Sequence, residues 1–116
     1  MAKYESRMKG DFDELLHRLD YGILEGSASA HYEDGSDYAT DGVRCAVRVY
    51  ERYSVLGGSR VSLNITLVGK DEDLFISTIS SGGSQAMFFK FNRWGEGNFL
   101  QCALDIIEGY KREDRS

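Results

Sequence analysis

Over residues 42–53 every second residue changes character. Val43, Cys45, Val47 and Val49 fall on one side, and Arg44, Ala46, Arg48, Tyr50 and Arg52 on the other. A strict period of two with β-branched enrichment specifies a strand covered on one face only. The pattern predicts the valine side turned to the core and the arginine side to water. Residues 60–69 repeat it, with Val61, Leu63, Ile65 and Leu67 inside and Ser62, Asn64 and Thr66 outside. Gly57-Gly58 marks the turn between the two runs, and Lys70-Asp71-Glu72 the turn after the second. Residues 73–80 form a further strand of mixed facing, so the middle of the chain reads as a meander of antiparallel hairpins.

Helices flank this meander. Asp11-x-x-Glu14 has capping-box spacing, and Phe12, Leu15, Leu16, Leu19 and Ile23 form one apolar stripe closed by Gly22 and Gly26. A second helix begins around Trp94 to Asn98, with Phe99, Cys102, Ala103, Ile106, Ile107 and Tyr110 on its stripe. The charged tail 111–116 is expected to fray. Residues 3–9 alternate weakly and suit a charged edge strand. Residues 27–33 read as a strand, the acidic stretch 34–41 as a loop, and residues 85–91, with Met87, Phe89 and Phe91, as a short sixth strand.

The order is β-α-β-β-β-β-(β)-α. It predicts an α+β fold: an antiparallel five- to six-stranded sheet with two helices packed on one face and the other face wet. The 116 residues contain no proline and no internal repeat, and form one domain, 1–116. The net charge of −5 disfavours nucleic acid and anionic membrane surfaces, both of which are bound through excess Lys and Arg. No apolar run approaches the roughly 20 residues of a membrane span, and Met1 to Lys9 do not resemble a signal peptide. Cys45 and Cys102 read as buried reduced thiols, which places the chain in the cytoplasm.

The element order and the long C-terminal helix resemble the TATA-binding-protein-like and helix-grip architectures. The runs Val43-Arg44-Cys45-Ala46-Val47-Arg48-Val49-Tyr50-Glu51-Arg52-Tyr53 and Ser80-Ser81-Gly82-Gly83-Ser84-Gln85-Ala86-Met87-Phe88-Phe89-Lys90 resemble a family of uncharacterised bacterial proteins. The likeness covers most of the chain. It implies a fold and brings no catalytic or binding residue with it.

Candidate chemistry is sparse. Arg44, Arg48 and Arg52, with Tyr50 among them, would offer an anionic ligand or an acidic partner a row of guanidiniums; their ordinary role is a solvated strand face. Phe88 and Trp94 would form an exposed aromatic edge. Gly82-Gly83-Ser84-Gln85 could cradle an anion but lacks the spacing of a phosphate loop, and reads as a turn. Glu33, Asp34, Asp37 and Asp41 match no Ca²⁺ loop, and neither His17 nor His31 has a local partner at ligand spacing. A catalytic triad would need His31 near Ser84 or Cys45. No metal, cofactor or catalytic residue is therefore assigned. The reading is a non-enzymatic binding or interaction module that engages a protein partner, possible self-association into a homodimer, or a small anionic ligand. The alternative is a small-molecule binder or enzyme with a pocket between the last helix and the sheet, lined by Phe99, Ala103 and Ile107 facing Leu63 and Ile65.

Overall fold

The computed structural model describes residues 1–26, 29–53, 60–82 and 99–114. The elements run β1 (Ala2–Lys9), α1 (Phe12–Glu25), β2 (His31–Thr40), β3 (Val43–Tyr53), β4 (Arg60–Lys70), β5 (Asp73–Gly82) and α2 (Phe99–Asp114). The strands form one sheet in the order β1-β5-β4-β3-β2, with every neighbouring pair antiparallel. This is the expected α+β arrangement, with β1 at an edge. The sixth strand predicted over residues 85–91 lies outside the described residues.

Both helices lie on one face. Asp11 caps α1 by accepting the Glu14 amide at 2.8 Å, and its own amide donates to the Tyr110 hydroxyl of α2 at 2.8 Å. Phe12, Leu15, Leu19 and Ile23 of α1 are buried against Leu63, Ile65 and Leu67 of β4, together with Phe99, Ala103 and Ile107 of α2. Gly22 lets the helices approach, because a Cβ there would stand 2.5 Å from the Ile106 side chain. Arg18 bridges them further, reaching Glu113 at 2.7 Å. The tail expected to fray from residue 111 is therefore helical to Asp114, and Lys111 donates to Ser6 of β1 at 2.9 Å.

Phe99, Ala103, Ile107, Leu63 and Ile65 are at most 1% exposed, so no water-sized gap lies beside them. Among the described residues, the side chains predicted to line a pocket between the last helix and the sheet are packed in the core instead. No helix among the described residues is long and apolar enough to cross a membrane.

Two sequence expectations are corrected. The acidic stretch 34–41 is no loop, because β2 continues to Thr40. The turn is Asp41-Gly42, both at positive φ (49° and 81°), the geometry of a tight two-residue hairpin. β2 is an edge strand, and every residue but Gly35 is exposed, so its acidic composition costs little desolvation and blocks further pairing.

The second correction concerns β3, which faces the opposite way from the expectation. Its register on β4 sets Arg52 beside Val61, Tyr50 beside Leu63, Arg48 beside Ile65 and Ala46 beside Leu67. Directly opposed residues share a face. The β4 leucines and isoleucine lie under the helices, so Arg44, Ala46, Arg48, Tyr50 and Arg52 lie on the helix side too. Val43, Cys45, Val47 and Val49 point to the bare side. β3 lies at the margin of the helix layer. There the small Ala46 fits under the layer, Tyr50 fills the space beside it, and the arginine stems pack while their heads reach polar partners.

Candidate functional site

The arginine side of β3 is occupied within the chain. The Arg44 guanidinium lies 4.2 Å from the centre of the Phe12 ring and makes two hydrogen bonds of 2.9 Å to the Asp13 carboxylate. That pairing holds the Asp13 carboxyl below the usual carboxylate range. Arg48 reaches Asp37 of β2 at 3.0 Å and donates to the Val47 carbonyl at 2.9 Å. Tyr50 is fully buried, meets Tyr32 edge-on and donates its hydroxyl to Asp20 at 2.8 Å. Burial, with the Asp20 carboxylate beside it, raises the Tyr50 pKa above its ordinary value and keeps the phenol a donor. Arg52 is buried with its guanidinium 4.7 Å from the centre of the Phe99 ring. The four residues predicted to receive a ligand on the open face instead join β3 to α1, α2 and β2.

A groove between α1 and the β2–β3 edge gathers His17, Asp20, Tyr32 and Arg48. Asp20 accepts from the Tyr50 hydroxyl and Arg48 is ion-paired with Asp37, so both groups have partners inside the fold. On the opposite face of the sheet, His31 Nε2 lies 2.5 Å from Glu33, and His31 is the cross-strand neighbour of Glu51. His31 therefore has the partners that sequence reading denied it. The signal was His31-x-Glu33, which on a strand puts both side chains on one face. These three residues could supply one ligand atom each to a metal ion, all within 4.8 Å of one another. Arg60 contacts Glu51 and approaches Glu33 at 3.8 Å, so the described cluster is an ion-pair network with its cation already supplied by the protein.

Among the described residues, what remains without a cover is the bare face. One row crosses four strands with no charge: Tyr38 of β2, Cys45 of β3, Val68 of β4 and Phe75 of β5 are successive cross-strand neighbours, and Arg7 of β1 ends the row. Val43 and Val47 flank Cys45 along β3, and Val49 pairs across Asn64 with Ile79. Tyr38 is 67% exposed, and the three valines, Val68, Phe75 and Ile79 are all half-buried. At the β1 corner a shallow depression is lined by Arg7, Lys9, Lys70, Asp73, Val68 and Phe75.

The model of a family of unknown function, DUF6054, matches residues 1–111. The chain belongs to DUF6054. The match spans all five strands of this DUF6054 sheet, α1 and most of α2, and so includes both faces of β3. No curated protein matches the chain. Of the residues singled out from the DUF6054 sequence, Phe88 and Trp94 lie outside the described residues, as does Ser84. The structure brings Arg44, Arg48 and Tyr50 together with acidic partners from α1 and β2. It separates them from the bare face, which sequence reading had assigned to them.

Proposed function

We propose that this DUF6054 chain is a small non-enzymatic interaction module whose working surface is the uncovered face of its sheet. One observation carries the reading: β3 turns its valine side away from the helices, where the wet face of an antiparallel sheet is ordinarily polar. A contiguous apolar patch on a sheet face, rimmed by charge, is the signature of a surface that another surface covers. The element order and the single bare face also support a TATA-binding-protein-like architecture over residues 1–116. The free thiols of Cys45 and Cys102 support a cytoplasmic location.

Cys45 stands in the middle of the patch and reports on it. In a Cys102→Ala background, alkylation of Cys45 by N-ethylmaleimide is expected to be at least about tenfold slower in intact cells than in the purified chain at nanomolar dilution, because a buried interface core excludes reagent and water. Equal rates would show the face bare where the protein works and would end this reading.

A further inference from the structure

Resting on that reading, we propose that the occupant of the bare face is a second copy of this chain. The two sheets pack face to face about a two-fold axis parallel to the strands. The area suffices. Five strands about 4.8 Å apart and about eight residues long at 3.3 Å per residue present roughly 600 Å² per copy, near the lower bound of roughly 1,200 Å² in total for a specific interface.

The symmetry follows from the strand order. In β1-β5-β4-β3-β2, β4 is central. A two-fold axis along the strands lays β4 on the partner's β4, β3 on the partner's β5 and β2 on the partner's β1. A two-fold axis across the strands would instead lay β1 on β1 and β2 on β2, strands of like net charge. On the bare face β1 carries Lys3, Glu5, Arg7 and Lys9, an excess of positive charge. β2 carries Glu33 and Asp34 on that face beside His31, Ser36, Tyr38 and Thr40.

Each cross-strand row then meets its own reverse. In the row Asp34–Val49–Asn64–Ile79–Lys3, Asp34 faces the partner's Lys3 and Val49 the partner's Ile79. In the apolar row, Tyr38 faces the partner's Arg7, Cys45 the partner's Phe75, and Val68 its own copy on the axis. Ser36 faces the partner's Glu5. Lys70 meets its own copy only at the end of β4, where Asp73 stands beside it across the hairpin. The arrangement is isologous, as a closed dimer requires.

Sedimentation velocity of the full chain from 1 to 200 µM is the test, with circular dichroism to verify that each variant is folded. Wild type is expected to sediment at twice the chain mass. Val68→Asp sets two carboxylates together on the axis and is expected to give monomer. Lys3 and Asp34 are exposed edge residues with local partners on their own strands, Glu5 at 3.9 Å from Lys3 and the Gly35 amide donating to Asp34 at 2.8 Å, so Lys3→Asp and Asp34→Lys are compared with wild type only after circular dichroism shows them folded. Each is expected to raise the dimer dissociation constant at least about tenfold, with the double reversal returning it to within about threefold of wild type, because each dimer repeats the charge pair twice. A wild-type monomer throughout would overturn the self-association proposal, while continued protection of Cys45 in cells would leave the working face intact with a different partner. A dimer indifferent to all three variants would show assembly through another surface and would overturn it as well.

Discussion

Removing one oxygen atom tests the facing of β3. In Tyr50→Phe the ring stays in the core and only the hydroxyl bonded to Asp20 at 2.8 Å is lost. A hydrogen bond to a charged acceptor contributes about 1.5–3 kcal/mol net. Asp20 is half-buried on the groove and can rehydrate, which puts the expected loss near the lower end, about 1.5–2 kcal/mol. A chain of 116 residues has a total stability of roughly 6–17 kcal/mol, and each kcal/mol moves the melting temperature by about 4 °C, so the midpoint should fall by about 6–8 °C. Urea unfolding of wild type, Tyr50→Phe, Asp20→Ala and the double variant forms a cycle whose coupling should be about 1–2 kcal/mol. The pH profile adds an independent sign. Folding raises the Tyr50 pKa above the ordinary 10.0, so its contribution is fully present below pH 10 and is lost as pH rises through and beyond it. Tyr50→Phe should therefore lack part of the wild type's alkaline destabilisation. All of these effects arise on the helix side and are separate from any assembly through the bare face. A Tyr50→Phe protein within about 0.5 kcal/mol of wild type, the range of ordinary surface substitutions, with an unchanged urea slope, would put the hydroxyl in water. The assignment of the two faces would then be refuted.

Acid should weaken the fold through three carboxylates. Asp13 beside Arg44, Glu108 beside Tyr4 and Lys111, and Glu113 beside Arg18 all have lowered pKa values, so their contributions are complete above the ordinary values of 3.8 and 4.5 and fade as pH falls below them. Thermal melts should show Asp13→Asn less stable than wild type at pH 7 and converging on it near pH 2.5; an equal gap at both would rule out the Arg44 pairing as the cause. Gly69→Ala should cost about 1–3 kcal/mol in urea, because the added Cβ would stand 2.8 Å from the Phe12 ring and 3.0 Å from Leu74. A loss under about 0.5 kcal/mol would mean that Phe12 is not seated on β4.

The parts of the fold legible in the sequence were those where one side of an element is apolar and the other is not. Val61, Leu63, Ile65 and Leu67 and the stripe Phe12, Leu15, Leu19 and Ile23 are of this kind, and both went where expected. β3 is different, because both of its sides are able to pack. Alternation reports that two faces differ and is silent on which is inward. Hydropathy chose the valines, whereas the register on β4 chose Ala46 and Tyr50. The hints lay in other elements. Asp13 and Asp20, seven residues apart on α1, are where Arg44 and Tyr50 find their partners. β2 was misread from composition, although Asp41-Gly42 at its end is itself a hairpin signal. The apolar bare face was hidden for the same reason, because it exists only with β3 facing this way.

That inversion joins stability to function. A one-residue slip of β3 on its neighbours would exchange its two sides and carry Val43, Cys45, Val47 and Val49 under the helices. Fully burying one such side chain stabilises a fold by about 1.5–3 kcal/mol, so several kcal/mol of burial on β3 are left unused in the isolated chain. The helix side makes up part of this by burying the Tyr50 ring with its hydroxyl satisfied by Asp20, a group that would be costly to bury alone, while the exposed Arg44–Asp13 pair adds little. The valine side has no such compensation among the described residues of one copy. Under the proposed assembly, a second apolar sheet face would exclude water from the row Tyr38, Cys45, Val68 and Phe75 and supply that stabilisation. The same register that places tyrosine and arginine beneath the helices thus holds an adhesive surface outward. A variant that returned the valines to the core would gain monomer stability and lose the apolar face proposed as the working surface.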